Sequence, residues 1–291
     1  MFDFNFLIHT HRTLIQRNKE KNVFLQYYEK LWNTTNINEL QLEHNSADYL
    51  HACITFDELE KALKLTKHGK SPGQNNINSE LYKYAPDEFK MRLLQFLNNI
   101  HRENCIPNEW RNAVITPIFK KGDRREPKNY RGISILNTCY KIYSKILNMK
   151  LQNYSEVFMT ETQNGFQKGW SCTDPTFCLK LLIQKTREFN LESHLLFIDY
   201  EKAFDIIQRQ ILFNIFKSRH IPDTLLKAIV DIYTQNKIVR KLNNKLSRQV
   251  EIKKGVRQGC PLSPTLFNIH LDEIITKWQK QDITGIKLSK N

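Results

Sequence analysis

The run Leu195-Leu196-Phe197-Ile198-Asp199 most constrains this chain, because four apolar residues end directly at an acid. Four consecutive apolar residues predict a short, fully buried strand. Because a carboxylate is rarely buried without a partner, we expect Asp199 where the strand emerges, facing a cation or a cleft. An amphipathic helix is predicted next. Two interpretations stay open: a metal-binding carboxylate on a rigid platform, or a surface Asp that caps the helix from Tyr200 onward.

The bulk composition indicates an intracellular protein with a core. The chain has 291 residues, 40% of them hydrophobic, which suffices for one large domain or two ordinary ones. No apolar run approaches the roughly 18 residues of a membrane span. The amino terminus has no basic segment and no cleavage site, so no secretory signal is predicted. Six scattered cysteines without metal-type spacing are predicted to be reduced thiols.

The charge balance points to a polyanionic partner. The chain has 44 Lys and Arg against 30 Asp and Glu, a net charge of +14. Nucleic acid is the commonest polyanion that such an excess serves, although a soluble protein that is merely basic has the same composition.

Periodicity and capping signals predict an alternation of helices with a few strands. Thr55 and Glu58 form a capping box, and Pro117 suggests an edge position or an exposed hairpin for its strand. The basic turn 120–125 fits either a hairpin that projects over a polyanion or a solvated loop tip. The predicted strands are Ala113–Phe119, Tyr130–Leu136, and a hairpin of Val239–Leu242 with Val250–Ile252. Helices are predicted over 24–32 and Phe56–Lys67, from Pro86, Asn137, Thr173 and Pro222, and over Thr265–Trp278.

Two motifs make the chain recognisable. F-I-D-Y-E-K-A-F-D at 197–205 and G-V-R-Q-G-C-P-L-S-P at 255–264 resemble the first two palm motifs of reverse transcriptases from non-LTR (LINE-type) retrotransposons. Earlier segments resemble that family's blocks in the same order: K-H-G-K-S-P-G, T-P-I-F-K-K-G-D with N-Y-R-G-I-S-I-L-N, and Q-N-G-F-Q-K-G-W-S-C-T-D. The resemblance spans about Thr55 to Ile275.

The resemblance implies an α+β right-hand polymerase fold, with fingers, a partial palm, an antiparallel sheet packed on helices and no thumb. The implied division is a lead-in over 1–50, a helical block over 51–110, fingers over 111–190 and a partial palm over 191–291. The family's third palm motif, an aromatic-x-Asp-Asp hairpin, does not occur in the sequence. We therefore expect this chain to be inactive, or nearly so, by itself.

The resemblance also assigns roles. Asp199 and the backbone of Tyr200 match the Mg²⁺ ligands of a two-metal site that one carboxylate leaves incomplete. The positions matched to the incoming nucleotide are Lys121 (for which Lys120 is an alternative), Arg131, Tyr200, Phe204, Gln258 and Gly259. Phe204 also fits an ordinary core position. The basic residues predicted to contact nucleic acid are Lys70, Arg240, Lys241, Arg248, Lys254 and Arg257.

The expected partners are an RNA template, a DNA primer or target DNA and dNTPs, with no membrane, and the parent element is expected to act in the nucleus. One departure concerns the loop after S-P-G, where Gln74-Asn75-Asn76 replaces the family's Asp-Gly turn. Two alternatives remain: a non-catalytic relic that binds RNA through basic surfaces, and a gene fragment that never forms a stable protein.

Overall fold

The computed structural model describes residues 25–33, 53–167, 169–242 and 245–280, without the side chains of 241, 242, 245 and 246. The helices are α1 (25–32), α2 (Phe56–Lys64), α3 (Ser79–Lys83), α4 (Asp87–Glu103), α5 (Asn108–Arg111), α6 (Thr138–Ser155), α7 (Thr173–Glu188), α8 (Arg209–Ser218), α9 (Asp223–Tyr233) and α10 (Ser263–Gln279). The strands are β1 (Asn112–Phe119), β2 (Tyr130–Ile135), β3 (Lys237–Leu242), β4 (Lys245–Leu246) and β5 (Val250–Glu251).

The strands form one mixed sheet in the order β2-β1-β3-β4, with β5 also paired to β3. The predicted antiparallel pairing holds except between β1 and β3, which run parallel over Asn112–Ile115. Strand β1 is therefore not an edge strand, and of the two positions that Pro117 suggested the hairpin is the one observed, between β1 and β2. Pro117 lies beyond the paired part of β3 and faces only Gly132 of β2, so its missing N–H costs the sheet no bond on the other side.

The core lies where the helices pack around α6 and behind the sheet. Helix α6 contributes the fully buried Tyr140, Tyr143 and Ile146, and α8, α9 and α10 pack their apolar faces near it. The capping box at Thr55 is present, and Asn137 caps α6 through a bond from Cys139 N. The α+β class predicted from the sequence is thus confirmed.

Two further observations concern the cysteines and the length of the helices. All six cysteines are free thiols, as their scattered spacing predicted. Among the helices that the structure describes, none combines the length and apolar character needed to cross a bilayer.

The predicted strand at 195–198 is wrong. Residues 191–200 are irregular, and Leu196, Phe197 and Ile198 are 83%, 76% and 71% exposed. A strand must exchange backbone hydrogen bonds with a neighbour, and no strand of the described sheet pairs with this segment. The helix predicted from Tyr200 begins only at Arg209, after a turn over residues 201–206.

Helix α7 forms where its Thr-Asp-Pro start predicted, but its apolar side is not a core side. The helical spacing of Phe177, Leu181 and Leu182 predicts a side that packs on the core, but Phe177 and Leu181 are 63% and 44% exposed, and Thr186 is the one buried residue of the helix. Helical spacing identifies an apolar face without naming the element that covers it.

Candidate active site

Three segments that the sequence singled out meet at one place: strand β2, the turn 201–206 and the loop 255–264. The backbone N of Ser134 in β2 donates to Gln258 O at 2.7 Å. The backbone N of Val256 donates to Phe204 O at 2.8 Å, and Gly255 N donates to Ile207 O at 2.8 Å. The turn 201–206 and strand β2 are therefore each joined to the loop 255–264 by backbone hydrogen bonds.

Two glycines permit this close approach. Gly259 has φ +116°, and a Cβ there would lie 2.6 Å from Ser134 O. Gly255 has φ +79°, and a Cβ there would lie 2.7 Å from Asp205 O. Because side chains rarely adopt such φ values and neither backbone oxygen can move aside cheaply, only glycine fits either position.

Two buried arginines hold the loop from behind. The Arg209 guanidinium donates to the backbone carbonyls of Gly255, Tyr233, Ile252 and Lys254 at 2.8–3.3 Å. Burial lowers the pKa of Arg209 to about 10, so it stays charged at neutral pH. No family motif or periodicity signalled Arg209. The sequence shows only a polar residue in Gln-Arg-Gln before an apolar helix.

Arg257 is the second of these arginines, and its predicted contact with nucleic acid is corrected. It is 4% exposed, and its guanidinium donates to Trp110 O, Arg111 O and Asn236 Oδ1. The guanidinium also lies over the Tyr140 ring. These contacts direct the Arg257 side chain towards the core, where it holds the loop and cannot reach a phosphate.

Asp205 connects the turn to helix α1 and to the loop. It is 6% exposed; its Oδ1 accepts from Trp32 Nε1 at 3.3 Å and its Oδ2 from Gln258 Nε2 at 3.0 Å. Burial raises the pKa of Asp205 to about 6, against the lowering effect of these two bonds and of Lys202. The sequence predicted an aromatic face for α1 but not that Trp32 reaches this acid.

Helix α1 packs across the same region. Tyr28 and Trp32 stack with ring centroids 4.8 Å apart, and the Tyr28 ring lies against Gly132 of β2. The Trp32 carbonyl accepts from Lys253 N and Lys254 N, and the Lys202 ammonium lies 4.2 Å from the centroid of the Tyr27 ring. This segment of the predicted lead-in is therefore part of the candidate site.

Phe204 is packed in an aromatic cluster. Its ring stacks on Phe267 of α10, with centroids 5.3 Å apart, and meets Phe166 edge to face at 6.1 Å. Phe166 belongs to the glycine-rich block 163–171, so this block also reaches the site. The position suits both interpretations of Phe204, because the ring is partly buried against the core.

Asp199 and Tyr200 lie on the exposed side of the site. Asp199 is exposed in the irregular segment 191–200, and Tyr200 is 41% exposed. Asp205, unlike the exposed Asp199, is buried, and each of its oxygens already accepts one hydrogen bond. In the described ranges, no three His, Cys, Asp or Glu side chains converge to hold a metal ion. A hard-oxygen ligand is present, but these residues do not fit a complete two-metal site.

The fingers residues lie on the β1–β2 hairpin. Lys121 is exposed in the turn, beside Gly122 with φ +87°, and Arg131 is exposed in β2 opposite Ile118. The turn is ordered internally, since Asp123 accepts from the backbone N and side chain of Arg125. Their predicted contact with a nucleotide stays a prediction.

A cationic groove of about 490 Å³ opens where Gly259 meets the fingers. We call it the lysine groove; it is lined by Lys67, Lys70, Lys141 and Lys145, by hydroxyl residues and by Ile133, Ile135, Gly259 and Pro261. Among the residues that the structure describes, no Asp or Glu lines it. Burial and the nearby Lys83 and Lys67 lower the pKa of Lys145 to about 8. The sequence predicted that Lys70 contacts nucleic acid, whereas it made no such prediction for Lys141 and Lys145 in the helix that begins at Asn137.

The remaining predicted nucleic-acid residues lie around β3 and β5. Arg240 is half-buried in β3, Lys254 is half-buried, and Arg248 forms an ion pair with Glu29 of α1 at 2.6 Å. The Lys241 side chain lies outside the described residues. Their contact with nucleic acid stays a prediction.

Comparison with known proteins identifies a family whose model matches this chain. The family model described as "Reverse transcriptase (RNA-dependent DNA polymerase)" matches residues 118–289. These residues make up more than half of the chain and include β2, the turn 201–206 and the loop 255–264.

The curated relatives are much longer proteins. The transposon TX1 uncharacterized 149 kDa protein of Xenopus laevis is 28% identical over 90% of this chain and 20% of its own length. The Pol polyprotein from the type-1 retrotransposable element R2 of Popillia japonica is 28% identical over 60% of this chain and 24% of its own length. The RNA-directed DNA polymerase from mobile element jockey of Drosophila melanogaster is 22% identical over 77% of this chain and 25% of its own length.

The chain therefore spans between a fifth and a quarter of each of these relatives. Among solved structures, a chain of a partial Cas6-RT-Cas1--Cas2 complex has 18% identity and a TM-score of 0.45, covering 85% of this chain and 38% of that one.

Proposed function

The chain belongs to the reverse transcriptase (RNA-dependent DNA polymerase) family, and from that premise we propose that its site copies RNA into DNA within a LINE-type element. The sequence-based recognition of a non-LTR reverse transcriptase is confirmed by the family match and by the relatives. One observation carries the proposal. The Gln258–Gly259 loop shares direct hydrogen bonds both with strand β2, 124 residues away at Ser134, and with the turn after Asp199, 53 residues away at Asp205.

The incoming deoxynucleoside triphosphate is proposed to lie over this junction. Lys121 and Arg131 stand on the hairpin above it and would neutralise the phosphates, Arg131 in a bidentate manner. Phe204 is held rigidly by Phe267 and Phe166, so its ring would present a fixed apolar surface to the sugar. Gln258 and Gly259 would pack against the new base pair.

The metal requirement is also a proposal. Asp199 is proposed to supply one carboxylate to a magnesium site whose other ligands lie outside the described residues. Magnesium, when bound, stabilises the charge of the attacking and leaving oxygens in phosphoryl transfer. Exposure of Asp199 supports this role, because a ligand that awaits partners must remain accessible. Asp205 is not proposed as its companion, because it is buried and each of its oxygens already accepts a hydrogen bond, from Trp32 and from Gln258.

The template backbone is proposed to follow the lysine groove. Four lysines line this groove and would attract phosphates; the pKa of Lys145 is lowered first by burial and then by the nearby Lys83 and Lys67, and a bound anion would oppose both effects. Loop 67–73 holds its position there because Gly73 packs directly on the backbone of Asn137, where a Cβ would lie 2.6 Å from Asn137 Cα.

The test is primer extension by the chain joined, at its carboxyl end, to the segments that follow the matched region in the TX1 relative. We expect incorporation of dNTPs on an RNA template that requires Mg²⁺ and is lost in Asp199→Ala. Asp87→Ala, whose carboxylate is exposed on α4, serves as the matched control and should leave incorporation unchanged. A folded fusion that incorporates nothing, or one that is indifferent to Asp199→Ala, would contradict the proposal.

A second candidate function is RNA binding without chemistry. It is favoured by the combination of the lysine groove with a single unaccompanied carboxylate in the described site. It predicts salt-sensitive RNA binding that needs no Mg²⁺ and does not change in Asp199→Ala. Lys145→Gln should weaken RNA binding under both functions. Only the requirement for Mg²⁺ and the effect of Asp199→Ala therefore separate them.

A further inference from the structure

Gln258 is fixed at both its backbone and its side chain. Its carbonyl oxygen accepts from Ser134 N at 2.7 Å, and its Nε2 donates to Asp205 Oδ2 at 3.0 Å. The residue is nevertheless only partly buried, beside Gly259, which lines the lysine groove. A polar side chain that is held in one orientation and still accessible is suited to reading a ligand.

The chemistry of the partner decides which end of the amide is offered. An ionised carboxylate accepts hydrogen bonds and donates none, so the Gln258 amide must turn its NH₂ group towards Asp205. Its Oε1 is then the acceptor left for a ligand. The other oxygen of Asp205 accepts from the Trp32 indole at 3.3 Å, which holds the carboxylate in place from the side of α1.

We propose that Asp205 is a positioning residue that turns the Gln258 amide so that Oε1 faces the bound nucleotide as a hydrogen-bond acceptor, with Trp32 fixing Asp205 in turn. This inference rests on the proposed function, since it assigns the orientation of a residue in the nucleotide site. It also makes α1 part of the site's machinery, through a contact that spans 173 residues of sequence.

A structural role alone does not account for an acid at this position. Asn has the same shape as Asp and would satisfy Trp32 without the cost of a buried charge, which is visible as a pKa raised to about 6. The charged groups nearby do not cancel that cost: Lys202 lowers the pKa only in part, and Arg240 acts on the neighbouring Tyr28. A buried acid retained against its desolvation is typical of functional sites.

The first test follows side-chain N–H resonances of the ¹⁵N-labelled full chain between pH 5 and pH 8. The Trp32 indole and Gln258 amide signals, assigned with Trp32→Phe and Gln258→Leu, are expected to shift together with one midpoint near pH 6. In Asp205→Asn both should be flat, whereas the Asp87→Asn control should titrate as the wild type does. Independent midpoints, or a Gln258 signal that never titrates, would overturn the proposal.

The second test measures affinity for dTTP with Mg²⁺ and an RNA–DNA primer–template. Asp205→Asn should weaken binding roughly tenfold, the size of one hydrogen bond to an oriented polar group, and should add little to the loss in Gln258→Leu. Additive losses in the double variant would overturn the proposal. The protein for this measurement is the carboxyl-terminal fusion used for primer extension, because the described site offers Asp199 alone to the metal. If this fusion binds no dTTP, the proposed function fails, and the shared titration of Trp32 and Gln258 in the full chain then decides whether Asp205 orients the amide.

Discussion

Two regions of this molecule carry neighbouring parts of one motif and are held very differently. The clamped site, residues 201–209 and 252–259 with β2, is tied by backbone bonds, by the buried Arg209 and by Asp205. The open segment, residues 191–200, is irregular and exposes its apolar residues. The same motif therefore has one half whose partners are all within the described chain and another half whose partners are not.

The difference shows what makes a motif rigid. Residues of the clamped site bond to carbonyls, amides and a carboxylate of segments that mostly lie more than 40 residues away, whereas the open segment has no strand of the described sheet beside it. Side-chain hydrophobicity alone does not order a strand, because its backbone groups need partners too. Asp199 therefore follows a segment that no strand of the described sheet pairs with.

The largest expected effect on stability comes from replacing Arg209, the buried arginine that bonds to the loop carbonyls. Arg209→Met removes the donor to four carbonyls, and each buried acceptor left unpaired costs ~1–3 kcal/mol, so we expect about 4 kcal/mol or more off the free energy of unfolding. Urea unfolding measures it. Arg92→Met, at an exposed position of α4, should change stability little. A loss of stability in Arg209→Met as small as that in Arg92→Met would contradict the interpretation that Arg209 holds the loop in place.

A glycine exchange tests the contact between the loop and β2. Gly259→Ala places a Cβ 2.6 Å from Ser134 O at φ +116°, and we expect it to cost about 3 kcal/mol of unfolding free energy. Gly165→Ala is the matched control, since a Cβ there meets nothing within 4 Å. Equal melting temperatures of the two variants would show that the loop does not approach β2 this closely.

The buried acid gives the clamped site a pH signature. Asp205 has a pKa of about 6 when folded against an ordinary 3.8, so the folded chain binds this proton more tightly than the unfolded chain. The stabilising contribution is therefore complete below about pH 4 and is lost as the pH rises through 6. Asp205→Asn should raise the free energy of unfolding by about 2 kcal/mol at pH 8 and by nothing at pH 4. Stability curves of the two proteins that stay parallel from pH 4 to pH 8 would refute this assignment.

The smallest effect is expected in the open segment. Leu196→Ser, at a residue that is 83% exposed, should change the unfolding free energy by less than about 0.5 kcal/mol. Leu212→Ser, at a fully buried leucine of α8, should cost about 3 kcal/mol or more in the same denaturant series. Similar losses in both variants would indicate that residues 195–198 form the buried strand that the sequence pattern predicted.

Local signals in the sequence were sufficient for most elements of the fold. The capping box at Thr55, the asparagine cap of α6, the helix after Pro222 and the hairpin of β3 with β5 all follow from neighbouring residues. Two errors share one cause. The run 195–198 and the apolar side of α7 were assigned to the core because of their composition, but burial depends on an opposite surface that a sequence pattern does not reveal.

The candidate site was predictable where a motif names its residues and not where distant side chains meet. Gln258, Gly259 and Phe204 were found through the family resemblance and lie at the junction. Arg257 was assigned to nucleic acid because it is a charged residue in a loop, yet its guanidinium is buried and donates to the backbone carbonyls of Trp110 and Arg111. Trp32 and Arg209 were missed because their partners lie far away in the sequence, and nothing local marks such a contact.

Amide hydrogen exchange of the full chain at neutral pH tests the contrast between the two regions most directly. The amides of Ser134, Gly255 and Val256 donate to partners in the clamped site and should exchange slowly, as one group. The amides of residues 195–200 should exchange orders of magnitude faster, close to the rate of an unfolded peptide. Exchange at 195–200 as slow as that of Val256 would contradict the account, because Asp199 would then stand on a paired strand already.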